Sequence, residues 1–274
     1  MNRCLILCAA TVFSLTPALA AAPPELERYN VVWKTPSLNA AGSMPIGNGE
    51  VGLNIWVEEG GNLRFYIART DAWSEASRLL KLGGLRVSLT PNPFAKGAPF
   101  RQELKLRDGR IEIVAGEVRL KVFVDANAPV IHVVGESKQP LGVKAALECW
   151  PWYHRNEHSC VPLTLKHQSL DKFAGLVKDP ILHRTFGGSM IAPGFVKDGV
   201  TALKSSVPVK RFAIRIATHS VVTDTVAAWE KQLASIATSS ADAAAAQKAT
   251  AAWWNAFWNR SWVFVEGDNA AIAA

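Results

Sequence analysis

The stretch SMPIGNGEVGLNIW, Ser43 to Trp56, decides the fold. Gly47, Gly49 and Gly52 are spaced in it as G-x-G-x-x-G, the spacing that lets a backbone approach a dinucleotide pyrophosphate. That fingerprint needs a buried parallel strand before the glycines and a helix opening directly after them. Neither flank fits. The preceding NAAGSMP, residues 39–45, is interrupted by glycine and proline, and beyond Gly52 apolar and polar residues alternate as in a strand. The glycines therefore predict a tight turn and bulge at the entry to a first long strand.

Outward from that strand the same pattern repeats. VGLNIWVE (51–58) and LRFYIAR (63–69) are joined by a glycine-rich hairpin turn, and GLRVSLT (84–90) is closed by PNP. QELKLRDGRIEIVA (102–115) is a hairpin turning at Arg107, Asp108 and Gly109; EVRLKVFVD, APVIHVVGE and LGVKAALE carry the alternation to Glu148. Short strands at this spacing predict an antiparallel sandwich or barrel. The region 151–204 is less regular, with HRTFGGSMIAPGF (183–195) its clearest strand, and VKRFAIRIATHS (209–220) closes the β region. After Thr223 the chain turns alanine-rich, without proline or glycine, and reads as two helices. Trp254, Trp258 and Trp262 fall at i, i+4 and i+8 with Phe257 alongside. Such a face needs cover, from the sheet or from a further domain.

Composition sets the class. With 274 residues and 49% hydrophobic side chains the chain has enough apolar surface for a sizeable core. Arg3, the apolar run to Leu19 and an Ala18-Leu19-Ala20 site form a secretory signal, with cleavage expected after Ala20. Cys8 lacks the small residue that lipoprotein processing wants before it. No later segment has the ~20 apolar residues of a membrane anchor. The expected localisation is secreted or periplasmic. The formal charge is +7, one less once Arg3 leaves, and its cations stand singly among apolar residues as on the wet face of a strand, not clustered as nucleic acid would require. Of four cysteines Cys149 and Cys160 remain after cleavage, and an oxidising compartment predicts one disulfide between them.

MPIGNGEVGLNIWV (44–57) followed by TDAWSE (70–75) resembles the opening of the α-L-fucosidase-type glycoside hydrolases of family ninety-five. It is still more similar to their exported bacterial relatives, grouped by a domain of unknown function. The resemblance spans Tyr29 to about Trp262, with its specific motifs in about the first sixty of those residues. It implies a mainly β fold: an antiparallel β super-sandwich, a two-helix linker, then a long (α/α)6 barrel bearing the catalytic carboxylates of an inverting glycosidase. The first two parts correspond to residues 21–222 and 223–264, with 265–274 as a tail. The barrel has no counterpart in this sequence, so the resemblance implies a non-catalytic part of a secreted glycosidase, with that barrel as partner, and transfers no catalytic residue. A stand-alone secreted carbohydrate-binding sandwich is the alternative.

Glycoside hydrolysis takes two carboxyl groups, roughly 6.5–9.5 Å apart for inversion and 5–5.5 Å for retention. Asp71 and Glu75 are four residues apart and are candidates for such a pair. The plainer expectation is that Asp71 caps a short helix and Glu75 pairs with Arg78 on its surface. Trp73 between them is a candidate sugar contact. So are Trp150, Trp152 and His154 in CWPWYHRNEHSC (149–160), because aromatic faces stack on pyranose rings and imidazoles hold hydroxyls. Equally, this is a disulfide-tied loop whose tryptophans pack on the sandwich edge. Its cysteines and histidines lack zinc-ligand spacing, and HRNEH is not the H-E-x-x-H of metalloproteases. His132 reads as a strand histidine; His167, His183 and His219 are isolated; Ser189 lacks a nucleophile elbow. Carbohydrate is the expected ligand, with neither metal nor cofactor.

Overall fold

The computed structural model describes residues 24–148 and 153–260. The chain enters as β1 (Val31–Trp33) and β2 (Met44–Gly47), then β3 (Val51–Val57), β4 (Asn62–Trp73) and β5 (Leu79–Thr90) as a meander. There follow β6 (Phe100–Lys105), β7 (Arg110–Ala115), β8 (Val118–Val124) and the long β9 (Val130–Glu148). Beyond them lie β10 (Tyr153–Arg155), the short helix α1 (Val161–His167), β11 (Arg184–Ile191), β12 (Phe195–Lys197), β13 (Ala202–Ser205) and β14 (Val209–Val222). Helices α2 (Val226–Ser239) and α3 (Ala243–Trp258) complete the described chain.

All the strand pairs are antiparallel, and they form one sheet that curls over on itself. The mainly β antiparallel fold is as expected, and β9 is its hinge. Its first half pairs with β8 and β14, its second with β5 and β13, so it belongs to both facing layers. The sequence reads these halves as two strands because of Pro140. That proline sits, exposed, between Ser137, the last partner of β8, and Leu141, opposite Val209, where its missing N–H leaves no ladder bond unmade. Pro45 is likewise tolerated in β2, which ends one layer as an edge strand.

Period-two alternation sends Leu63, Phe65 and Ile67 of β4 inward to meet Leu85 and Val87 of β5, Ile111 and Ile113 of β7, and Ile214 of β14 in a single core. Each such side chain contributes about 1.5–3 kcal/mol by leaving water. Outward-facing cations are not merely solvated. Arg64 and Arg86, opposite each other on β4 and β5, share two carboxylates: Arg64 pairs with Glu58 (2.7 Å) and Glu148, and Arg86 with Glu148 (2.7 Å) and Glu58 (3.1 Å). Burial pushes the Glu58 carboxyl up, but Arg64, Asn62 and Arg86 outweigh it and hold it below its ordinary value.

The helices cover the outer face where it is also apolar. Thr225 caps α2 by accepting from Ala228 N (3.2 Å), and Trp229, Leu233 and Ala237, one turn apart, pack with Val130 and Ala217. Asp242 caps α3 through Ala244 N and Ala245 N, each at 2.9 Å. Of the aromatic face, Trp258 Nε1 donates to Leu106 O (2.8 Å) and Trp254 lies over Gly109, so α3 folds back on the β6–β7 turn. Trp262 lies outside the described residues, as does the segment read as a secretory signal.

Candidate functional site

Gly47 and Gly52 face each other across the β2–β3 hairpin, and Gly49 between them has φ +90°. The glycine motif is thus a hairpin turn, and Gly47 is held to glycine by the Val51 carbonyl, which an added Cβ would meet at 2.6 Å. Asn48 organises the turn from inside. Its Oδ1 accepts from Glu50 N (3.0 Å) and Val51 N (2.8 Å), while Nδ2 donates to Asp125 O (2.8 Å) and Ala128 O (3.3 Å), just before β9. The next residue, Glu50, pairs with Arg69.

Arg69 is the centre of the cluster. Only 2% exposed, it donates Nε to Asp71 Oδ1 (3.0 Å), Nη2 to Asp71 Oδ2 (3.2 Å) and Nη1 to Thr218 Oγ1 of β14 (3.0 Å). A guanidinium buried this deeply needs these partners, and the bidentate carboxylate supplies them. Asp71 Oδ2 also faces Arg184 Nη1 at 3.8 Å. The expectation of a helix capped by Asp71 is therefore wrong: β4 continues through Trp73 because Asp71 has a buried cation to satisfy. Chain reversal comes later, where Ser74 Oγ accepts from Ala76 N and Arg78 N, both at 3.2 Å. Glu75 lies exposed in that turn, and no ion pair to Arg78 forms. Asp71 thus faces guanidinium groups with both oxygens while Glu75 stands in solvent, which is not the geometry of two carboxyls flanking one bond.

Trp73 and the 153–160 segment meet. Asn156, 1% exposed, donates Nδ2 to Trp73 O (2.6 Å), and Trp73 Nε1 donates back to Thr70 O (2.8 Å). Arg155, on the opposite side of its strand, ties this segment to His183 O (3.2 Å), Thr185 Oγ1 (2.8 Å) and Thr223 O (2.6 Å). His154 packs on Phe186 with ring centroids 5.2 Å apart, its Nε2 buried without a hydrogen-bond partner. Beyond Trp73 a cavity of about 370 Å³ opens between the β4–β5 turn and α1, lined by Trp73, Val161, Leu165, Val177 and Ile181, with Cys160, Ser77 and Thr164 as polar members.

Cys160 is a buried free thiol, its Sγ 3.4 Å from Asp179 Oδ1; its expected disulfide partner, Cys149, lies outside the described residues, as do Trp150 and Trp152. Burial raises the thiol and Asp179 adds to that. The Asp179 carboxyl is pushed up by burial yet ends below its ordinary value, because Ile181 N, the Ser159 side chain and Cys160 N donate to it. Among the described residues no group of three or more His, Cys, Asp or Glu side chains is placed to hold a metal, and no helix is long and apolar enough to cross a membrane.

Of the sequence candidates, then, the fold brings Asp71, Trp73 and His154 to one end of the sandwich. Asn48, Glu50, Arg69 and Asn156 belong there too and were not singled out in the sequence. Arg69 is the residue whose signal was present, as the cation of LRFYIARTDAW two residues before the acid of the motif.

No curated protein matches this chain. Among solved structures, a putative kojibiose phosphorylase from human microbiome is similar over 86% of this chain and 39% of its own, at 12% identity and a TM-score of 0.40. The chain spans less than half the length of that protein. Both motif stretches and both helices fall within residues 32–151 and 151–263, which match a single family model, and on that match the chain belongs to the family described as "Domain of unknown function (DUF5703)".

Proposed function

We propose that this chain is the non-catalytic, sugar-facing β-sandwich of an exported glycoside hydrolase of the α-L-fucosidase type. One observation carries the proposal. The two stretches that resemble family ninety-five meet in space: Asn48 and Glu50 from the first and Asp71 from the second are bound together through Arg69 and the 125–128 loop, with Trp73 beside them. This cluster holds the Trp73 edge rigidly while leaving the ring partly exposed next to an open cavity, which suits an aromatic wall for a pyranose. The Asp71 and Glu75 geometry supports a role without chemistry of its own.

The full chain is expected to release no 4-nitrophenol from aryl glycosides, the α-L-fucoside included, and to bind fucosylated oligosaccharides weakly by calorimetry, with Trp73→Ala abolishing the heat. Turnover by the purified chain would overturn the non-catalytic role; sugar binding indifferent to Trp73→Ala would overturn the wall. A stand-alone carbohydrate-binding module is favoured by a separate observation, the seating of Trp254 and Trp258 on the β6–β7 turn. That reading requires a monodisperse monomer in size-exclusion chromatography, and aggregation through exposed tryptophans would count against it.

A further inference from the structure

His132 lies in the first half of β9 and faces outward, on the side of Val130 and not of the core residues Ile131 and Val133. It is 0% exposed, and neither ring nitrogen has a hydrogen-bond partner. Phe123, opposite it on β8, stacks on the imidazole with centroids 4.7 Å apart and planes within 4°. Opposite it on β14 stands Arg215, whose Nη1 crosses to the joint between α2 and α3, bonding Ser240 O (3.0 Å) and Ser240 Oγ (3.1 Å). The buried face of α2 brings only Trp229, Leu233 and Ala237, and the first residue before α3, Asp242, supplies an acid whose attraction is weaker than the opposing effects.

A neutral imidazole suits this place, between an aromatic ring and an apolar helix face. A protonated one would set a second positive charge beside Arg215 with no acceptor for either N–H. Water can reach the ring when α2 and the start of α3 leave the sheet. We propose that His132 makes the docking of the α2–α3 pair proton-sensitive, so that acid lifts the helices from the outer face while the two-layered sandwich stays folded. Burial, reinforced by Arg215, lowers His132 from 6.5 to about 4 in the docked state. Between those values the lifted state holds a proton that the docked state lacks, and the lifted population rises about 20-fold from pH 7 to pH 5.

Hydrogen–deuterium exchange of the full chain at pH 7 and pH 5, corrected for the intrinsic pH dependence of exchange, tests this. Protection of peptides from 226–258 is expected to fall about 20-fold, and at both pH values peptides from 51–73 stay markedly more protected than the helices, because the helices open while the strands remain paired. In His132→Leu the pH difference in the helices disappears. In His219→Gln, which removes the histidine that meets Gln232 of α2 at 3.0 Å, it remains. Helices no less protected than strands at pH 5, no loss in the helices, or a loss that persists in His132→Leu overturns the proposal. Should His132→Leu fail to fold, the helix-against-strand comparison in the wild type still decides.

Discussion

Asn156 donates from Nδ2 to the carbonyl of Trp73 over 2.6 Å, across 83 residues of sequence. This bond joins the end of β4 to the residue just after β10. Removing it leaves a carbonyl unpaired beside a buried side chain, so Asn156→Ala should cost about 1–3 kcal/mol. The urea midpoint should fall with the slope unchanged; an unmoved midpoint would show that the bond is dispensable.

The guanidinium of Arg69 is satisfied by Asp71, Glu50 and Thr218, and each partner removed exposes the cost of burying it. Asp71→Asn loses the bidentate partner and should destabilise by roughly 1.5–3 kcal/mol. Glu50→Gln should cost less, since Glu50 is about half exposed. Thermal unfolding of the two variants ranks them, and a larger effect for Glu50→Gln would mean that Asp71 is not the principal counter-ion.

His132 also predicts how global stability depends on acidity. Its folded value, about 4, lies below the 6.5 of the free side chain, so the unfolded chain binds the extra proton. The contribution is complete above 6.5 and is lost as the pH falls towards 4, about 3 kcal/mol in all. Glu58, Glu103 and Asp179, each held below its ordinary value, add their own losses as the pH falls further, through their folded values. Across that window the wild type should lose stability that His132→Leu keeps, so the two curves differ in slope; parallel curves would remove His132 from the account.

Two glycines separate backbone strain from packing. Gly49 has φ +90° and open space around its missing Cβ, so Gly49→Ala should cost only the conformational penalty, about 1–2 kcal/mol. Gly109, at φ +60°, would drive a Cβ to 2.0 Å from the Trp254 ring. Gly109→Ala should therefore add roughly 1–3 kcal/mol of overpacking and unseat α3. Tryptophan emission should shift to the red in Gly109→Ala and stay unchanged in Gly49→Ala.

Cys160 should be slow to alkylate in the folded chain, since burial raises its thiol and keeps reagent away. Unfolding in urea without reductant should release a fast thiol. In a chain lacking Cys4 and Cys8, no titratable thiol even then would mean that Cys149 and Cys160 form the disulfide expected between them.

What the sequence determined by itself was local. Alternation over five to eight residues selects which face of β3, β4, β7 and β8 is apolar, because successive side chains of a strand point to opposite sides. Glycine at the β2–β3 and β6–β7 turns, Thr225 and Asp242 before the two helices, and the i, i+4 spacing of Trp254 and Trp258 act within a few residues of themselves, and the structure uses each as its local chemistry requires. The tertiary structure decided whatever joins remote segments. That β9 runs through Pro140 and serves both layers depends on which strands arrive to pair with each half. That Asp71 stays in a strand instead of opening a helix depends on Arg69, and Arg69 depends on Thr218, 149 residues away. His132 has no local mark of its burial; it lies on the outer face whose Val130 and Ala217 are packed by α2, about a hundred residues later. Propensity and periodicity act along the chain, whereas the satisfaction of a buried guanidinium or imidazole is settled only by the elements that pack around it.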